Sequence, residues 1–333
     1  MNRRYFLEQL ILASAALMTA PALSGAPLKT GGSDRLGALM PTRPFGSTGE
    51  QVTVFGLGGY HMPKAEQLDK KSPQVIIEKA LEGGVRFFDT AYNYYKGRSE
   101  ELYGMYLTPK YRDDIFLMTK SSTRDAKKAR EQLETSLGRL KTDYLDLWLM
   151  HTVKDAADAD RRLDEGVFDV FREAKASGKV RYIGFSGHAK TEAHRRVMER
   201  VAAEIDYVQL PVNAVDASAP DSFTSGLLPE LAAHGCAIGA MKSFSDGRFF
   251  GKNRFETDDP IIPNYLSVEE ALWFVLSQPI TCLVSGNDRL EYLEQNLEVV
   301  RRFSGLSRAD QDDITARVAK FANEEGLVPY RHR

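Results

Sequence analysis

The stretch FFDTAYNYYKGRSEE, Phe87 to Glu101, ends an apolar run in an aspartate and follows it with three tyrosines. A carboxylate closing a core strand is costly unless a cation or a hydrogen-bond donor meets it. Two later apolar runs end in a similar way: IFLMTK closes on Lys120 and DLWLMH on His151, so Asp89, Lys120 and His151 follow one another at intervals of 31 residues. Tyr94 stands five positions beyond Asp89. Brought together, these groups could do acid–base work at a carbonyl. A phenol is a weak acid at neutral pH, and a neighbouring ammonium is expected to lower its pKa and ease proton exchange with a substrate oxygen. Asp89 would hold Lys120 in an ion pair, while a neutral His151 would hydrogen-bond the carbonyl oxygen and aim it at Tyr94. Such a site protonates an alkoxide without a nucleophile or a metal, so the hydride must come from a cofactor, for which nicotinamide is the obvious source. Taken singly, a strand-end lysine is ordinarily solvated and a lone histidine structural; four such groups at consecutive strand ends argue for a site.

Groups so far apart in sequence need elements that converge. From Thr42 to about residue 303, apolar runs alternate with amphipathic segments, and the strand candidates are TVFGLGG, VRFFDT, IFLMTK, DYLDLWLMH, VRYIGFS, YVQLPVN, CAIGAMK and TCLVSG. Between them lie helical patterns such as DAKKAREQLETSLGRL, with Ala126, Ala129, Leu133, Leu137 and Leu140 on one face. Eight strand–helix units predict an α/β fold, a (β/α)8 TIM barrel, in which every strand points its C-terminal end at one mouth. A doubly wound sheet is disfavoured because no GxGxxG follows the first strand. A turn at Gly46–Gly49 between short runs predicts a β-hairpin preceding the barrel.

The bulk composition fits a soluble globular chain: 333 residues, 43% hydrophobic, 27% charged, with a formal net charge of -2. The scattered basic residues exclude an electrostatic footprint for nucleic acid. Cys236, Cys282 and six histidines give neither a disulfide framework nor a metal-ligand spacing. Residues 1–26 read as a targeting segment: Arg3-Arg4 precede Phe6-Leu7 and an apolar run too short to span a bilayer comfortably. That arrangement resembles the bacterial twin-arginine signal, which implies the twin-arginine export machinery as a partner and a folded protein in the periplasm. Pro27 is unfavourable for cleavage, and an uncleaved signal would leave the protein membrane-associated. Residues 27–41 read as a Gly-rich linker, 42–305 as the barrel, and 306–333 as a C-terminal helix and tail whose Ile314, Val318 and Phe321 pack on it.

The motifs FDTAYNY followed by SEE, TK at a strand end, LETSLGRLKTDYLDLWLMH, GFSG, VQLPVN and SG followed by EQN together resemble the aldo-keto reductase family over residues 42 to about 303. The resemblance implies reversible reduction of an aldehyde or ketone to an alcohol by a monomer, with Asp89, Tyr94, Lys120 and His151 as the catalytic tetrad. It implies that Ser186 and Gln209 hold the nicotinamide carboxamide and that Gly59 and Tyr60 form a cofactor-contacting turn. It places Lys242, Ser285, Gly286, Asn287, Arg289, Gln295 and Asn296 at the phosphates and adenine. Ser136, Arg139, Asp143 and Asp146 would fix helix-to-strand geometry. Three departures stand out. Gly187 replaces an asparagine, Met241 falls where many members place a stacking aromatic, and Gly286-Asn287 replaces a lysine–serine pair used for the 2′-phosphate. Phe244 could supply the stacking and Arg289 the lost charge, so NADP is expected in preference to NAD. No metal is expected.

The substrate pocket is less legible. His61, Met62, Tyr95, Trp148 and the loop SFSDGRFFGKNRFE are candidates for its walls, with Trp148 equally placed for the core. The charged insert VKDAADADRRLDE reads either as a cap over the mouth or as a solvated loop. A nicotinamide-nucleotide sensor or regulatory subunit with slow turnover is the alternative function; a lyase or isomerase would need a metal or phosphate motif that is absent.

Overall fold

The computed structural model describes residues 28–250, 262–323 and 327–332; the twin-arginine segment lies outside the described residues. Each predicted apolar run forms one strand: β1 (Phe55–Gly58), β2 (Phe87–Asp89), β3 (Phe116–Ser121), β4 (Leu145–Met150), β5 (Val180–Ser186), β6 (Tyr207–Pro211), β7 (Ala237–Met241) and β8 (Cys282–Gly286). All are parallel. Each pairs with the next, and β8 closes on β1 with Gly286 opposite Gly58, which makes a closed eight-stranded barrel.

Side chains alternate across a strand, so each strand has an inward and an outward set. The inward set includes Phe87, Phe116, Met118, Leu147, Leu149, Tyr207, Cys282 and Val284, which fill the lumen as one cluster. The outward set includes Phe88, Leu117, Met150, Ile183 and Leu210, which meet the helices in a second, larger cluster. Trp148 belongs to the outward set: it is fully buried and stacked on Phe171 at 3.8 Å, which settles it as core rather than pocket. The helix Ala126–Leu140 shows how the local sequence serves this layering. The Asp125 side chain caps it by accepting from the Lys128 N–H, Ala129, Leu133, Leu137 and Leu140 are buried, and Lys141 ends it in the left-handed region. Burial of each such leucine contributes roughly 1.5–3 kcal/mol.

The predicted hairpin is present, Thr42–Pro44 against Gln51–Thr53, and it seals the N-terminal end of the barrel. Phe45, which opens its turn, is fully buried, with its ring centroid 4.9 Å from that of Phe116 and 5.6 Å from that of Tyr207. Residues 28–41, expected as a linker, are attached to the barrel. Ser33–Asp34 pairs with Gly37–Ala38, Lys29 bridges Thr42, and Asp34 forms a 2.6 Å ion pair with the buried Arg86. Composition suggested a linker because these contacts are long-range and leave no local period. The C-terminal helix Arg308–Val318 buries Ile314 and Val318, and Phe321 follows them into the core. Among the described residues no helix is long and apolar enough to cross a membrane.

Candidate active site

Two positions beyond the last lumen-filling residue, the alternation brings Gly58, Asp89, Lys120, His151, Ser186, Gln209, Met241 and Gly286 to the C-terminal mouth. All except Lys120 line a cleft of about 560 Å³, together with Tyr60, His61, Asn93 and Tyr94. Lys120 sits behind them, buried. Its Nζ donates to Asp89 Oδ1 at 2.7 Å and to the Thr90 carbonyl at 2.9 Å, and lies 3.4 Å from the Tyr94 hydroxyl. The second carboxylate oxygen of Asp89 accepts from Gln209 Nε2 at 2.8 Å. Tyr94 faces His151 edge-on, with ring centroids 5.5 Å apart. The carboxylate that was costly at the end of β2 is thus met by an ammonium and an amide.

Tyr94 is held by an unusual loop. Tyr95, Lys96 and Gly97 all have positive φ, of 49°, 57° and 97°. Such a run is strained for non-glycine residues and persists only where the surroundings enforce it. Arg139 enforces it here: its Nη1 donates to the Tyr92 carbonyl and to the buried Glu100 carboxylate, each at 3.1 Å. A Cβ on Gly97 would lie 2.3 Å from the Arg139 guanidinium carbon, so glycine is required. Gly59 is required for a similar reason, since Ser99 Oγ donates to its carbonyl and leaves no room for a side chain.

The electrostatics correct one expectation. Tyr94 is pushed well above the ordinary phenol value, not below it, first by burial and then by the Asp89 charge, both of which disfavour the phenolate. Burial likewise pulls Lys120 down, against the opposing effect of Asp89. His151 is pulled well below the ordinary imidazole value, first by burial and then by the Lys120 charge, so it is neutral at physiological pH. Its Nδ1 is buried with no hydrogen-bond partner among the described residues.

The remaining sequence-selected residues divide. Tyr60, Ser186, Gln209, Met241, Lys242 and Gly286 line the cleft. Gly59 is buried beneath it, and Ser285, Asn287 and Asn296 are buried and bonded to one another: Asn296 Nδ2 donates to Asn287 Oδ1 at 2.9 Å and to Ser285 Oγ at 3.3 Å. This network fixes the loop after β8. Arg289 and Gln295 are exposed, Arg289 as the residue that starts the helix Leu290–Arg301. Two of the departures have steric explanations. A Cβ on Gly187 would lie 2.7 Å from both His194 Cε1 and the Val153 carbonyl oxygen, and one on Gly286 would meet His61 Nδ1 at 2.0 Å. Met62 is core, and Phe244 packs on Phe250 outside the cleft, so neither takes the part expected of it. Lys64, Asn93, Thr152 and His188 line the cleft and were missed; the available signal was that each follows a strand end or its first turn. The buried Tyr330, whose hydroxyl accepts from Asn213 Nδ2 at 3.0 Å, brings the tail to the same mouth.

Residues 54–263 match the model of the Aldo/keto reductase family. The chain belongs to that family and shares its oxidoreductase character. It is similar to the "Uncharacterized oxidoreductase YqkF" of Bacillus subtilis, 26% identical over 315 residues, covering 83% of this chain and 95% of that protein. The "Methylglyoxal reductase DkgA" of Escherichia coli strain K12 is 33% identical over 138 residues, covering 41% of this chain and 46% of that protein. Among solved structures, aldo-keto reductase AKR11C1 from Bacillus halodurans in its holo form superimposes with a TM-score of 0.69 at 21% identity, covering 84% of this chain and 96% of that one. That likeness establishes the shared fold.

Proposed function

We propose that the protein reduces a small aldehyde or ketone reversibly, with a nicotinamide nucleotide as cofactor and Tyr94 as general acid. The observation that carries this reading is the Asp89–Lys120–Tyr94 chain facing a neutral His151 across one cleft. The residues present fit a nicotinamide. Gln209 spends its amide N–H on Asp89 and keeps its carbonyl oxygen, while the Ser186 hydroxyl retains a proton, so the pair complements a carboxamide. Tyr60, Met241, Lys242 and the loop from Ser285 to Arg289, braced by Asn296, would hold the rest of the nucleotide, with Arg289 favouring NADP through its planar fork. When bound, the nicotinamide supplies the hydride.

The chain supplies everything else. Burial keeps the Tyr94 phenol protonated, as a proton donor must be. The proton passes from the phenolic oxygen to the substrate oxygen as negative charge develops there, and the Lys120 ammonium stabilises the phenolate left behind. His151 donates a hydrogen bond to the same substrate oxygen and fixes its direction. Tyr94→Phe is expected to lower kcat by roughly 10²- to 10⁴-fold while the dissociation constant for NADPH stays within about twofold. A variant that kept more than a few per cent of wild-type turnover on an aldehyde panel that includes methylglyoxal would remove Tyr94 from this role. The paired Arg3-Arg4 support export of the folded protein to the periplasm by the twin-arginine machinery.

A further inference from the structure

The charged insert after β4 is neither a cap over the cleft nor a solvated loop. It forms the helix Ala156–Asp164, and Arg162 in its last turn is completely buried. Arg162 Nη2 donates to the Thr152 carbonyl at 3.1 Å and to Asp158 Oδ2 at 3.2 Å, Nε reaches Asp158 Oδ1 at 3.4 Å, and Nη1 has no partner among the described residues. Arg124, from the loop after β3, shares the same carboxylate, with Nε 2.7 Å from Asp158 Oδ1 and Nη2 2.8 Å from Oδ2. Arg124 also donates to the Ser122 carbonyl at 2.9 Å, and Asp158 accepts from the Lys154 N–H at 3.1 Å. Two guanidiniums and one carboxylate therefore clamp the chain as it leaves β3 and β4.

The clamped turn begins at His151. Thr152 has φ of 54°, a left-handed conformation that a β-branched residue adopts only under constraint. Its N–H donates to Ser186 Oγ at 3.3 Å, and the next N–H, of Val153, donates to the Ser186 carbonyl at 2.8 Å. The His151 N–H is bonded to the Ser121 carbonyl at 2.8 Å. Displacing the Thr152 carbonyl would thus move His151 and Ser186 together. A buried arginine that must share its one carboxylate with Arg124 is an expensive way to fix a loop: burial, only partly offset by Asp158, pulls its guanidinium down to about 10.

We propose that Arg162 is a positioning residue: by holding the Thr152 carbonyl against Asp158 and Arg124 it sets the His151 imidazole opposite Tyr94. This rests on His151 directing the substrate oxygen, as in the reductase reading. The charged and titratable groups acting on His151 include Lys120, His188 and Lys242 as well as Arg162, and each disfavours the imidazolium. Tyr94 faces it from the remaining side.

Three variants, each followed by turnover, nucleotide binding and His151 titration, test this. In Arg162→Met, kcat is expected to fall about 10- to 100-fold, as for a catalytic group displaced by about 1 Å, with the NADPH dissociation constant changed less than about threefold. The His151 imidazole, followed by nitrogen NMR in the nucleotide-free protein, should titrate at higher pH than in the wild type. Arg162→Lys keeps the charge, so His151 should titrate near its wild-type position and kcat should recover in part. Asp158→Asn, which frees both guanidiniums without removing either, should lower kcat and leave the imidazole neutral; it serves if Arg162→Met does not fold. Wild-type kcat and wild-type His151 titration in the folded variants, with only a lowered melting temperature, would overturn the proposal. A wild-type protein that reduces no carbonyl would instead sink the reductase reading, and the His151 titration would still decide the clamp.

Discussion

Lys120→Met probes the arrangement that answers the opening aspartate. The ammonium and Asp89 Oδ1 are 2.7 Å apart, with side-chain exposures of 1% and 4%. Removing one partner of such a pair costs about 3–5 kcal/mol, because the remaining charge is buried without compensation. Here the Gln209 amide still reaches Asp89, which places the expected loss near the lower end, about 3 kcal/mol. Against a total stability of about 5–15 kcal/mol this is large. It should lower Tm by roughly 6–12 °C, at about 2–4 °C per kcal/mol for a domain of this size class. Adding Asp89→Asn removes the stranded charge and leaves the asparagine carbonyl to accept from Gln209. The double variant should therefore regain most of the stability, a coupling of about 2 kcal/mol or more in a double-mutant cycle. It should remain inactive, because nothing then stabilises the Tyr94 phenolate. Urea unfolding of the four proteins, alongside turnover, measures both quantities. Additive losses would show that the pair is not energetically coupled, and a Lys120→Met protein with wild-type turnover would show that the ammonium does not act on Tyr94.

Burial pulls His194 down to about 4, against the raising effect of the Lys190 and Gln209 backbone. An unfolded histidine titrates near about 6.5, so between these values the unfolded chain binds a proton that the folded chain refuses, and stability falls as pH falls. The slope is about 1.4 kcal/mol per unit, roughly 3 kcal/mol over the window; His194→Phe should make the acid limb of a urea-midpoint profile shallower by that amount, and an unchanged limb refutes it. Arg289→Ala should weaken NADPH binding about tenfold more than NADH binding, as loss of one charge-assisted hydrogen bond implies; calorimetry showing equal losses would leave Arg289 as loop support. Replacing Arg3 and Arg4 by lysine should retain the protein in the cytoplasm, and identical fractionation of both forms would show that the segment is no export signal.

Sequence alone carried the barrel and most of the candidate site, because both rest on short-range periods. Alternation within a strand is local, so the apolar runs ending at Asp89, Lys120 and His151 already said that these three side chains face the lumen at one end. The choice of Tyr94 among the three tyrosines rested instead on the family resemblance, because it stands in a loop that no strand period reaches. Tertiary structure decided what depends on distant groups. The direction of the Tyr94 pKa follows first from how deeply neighbouring strands and loops bury it, which is not a property of the segment Phe87–Glu101. Trp148 and Met62 were ambiguous until the surrounding helices existed to receive them. Ser285, Asn287 and Asn296 proved to brace one another, a closure between a strand end and a helix turn that spacing could not distinguish from ligand contact. Arg162 shows the limit most clearly. In sequence it is one charge among many in VKDAADADRRLDE, and only the packing of its helix against the turns after β3 and β4 makes its burial, its shared carboxylate and its hold on Thr152 visible. Period fixes which way a side chain points within its own element; charge and burial depend on what the rest of the chain places around it.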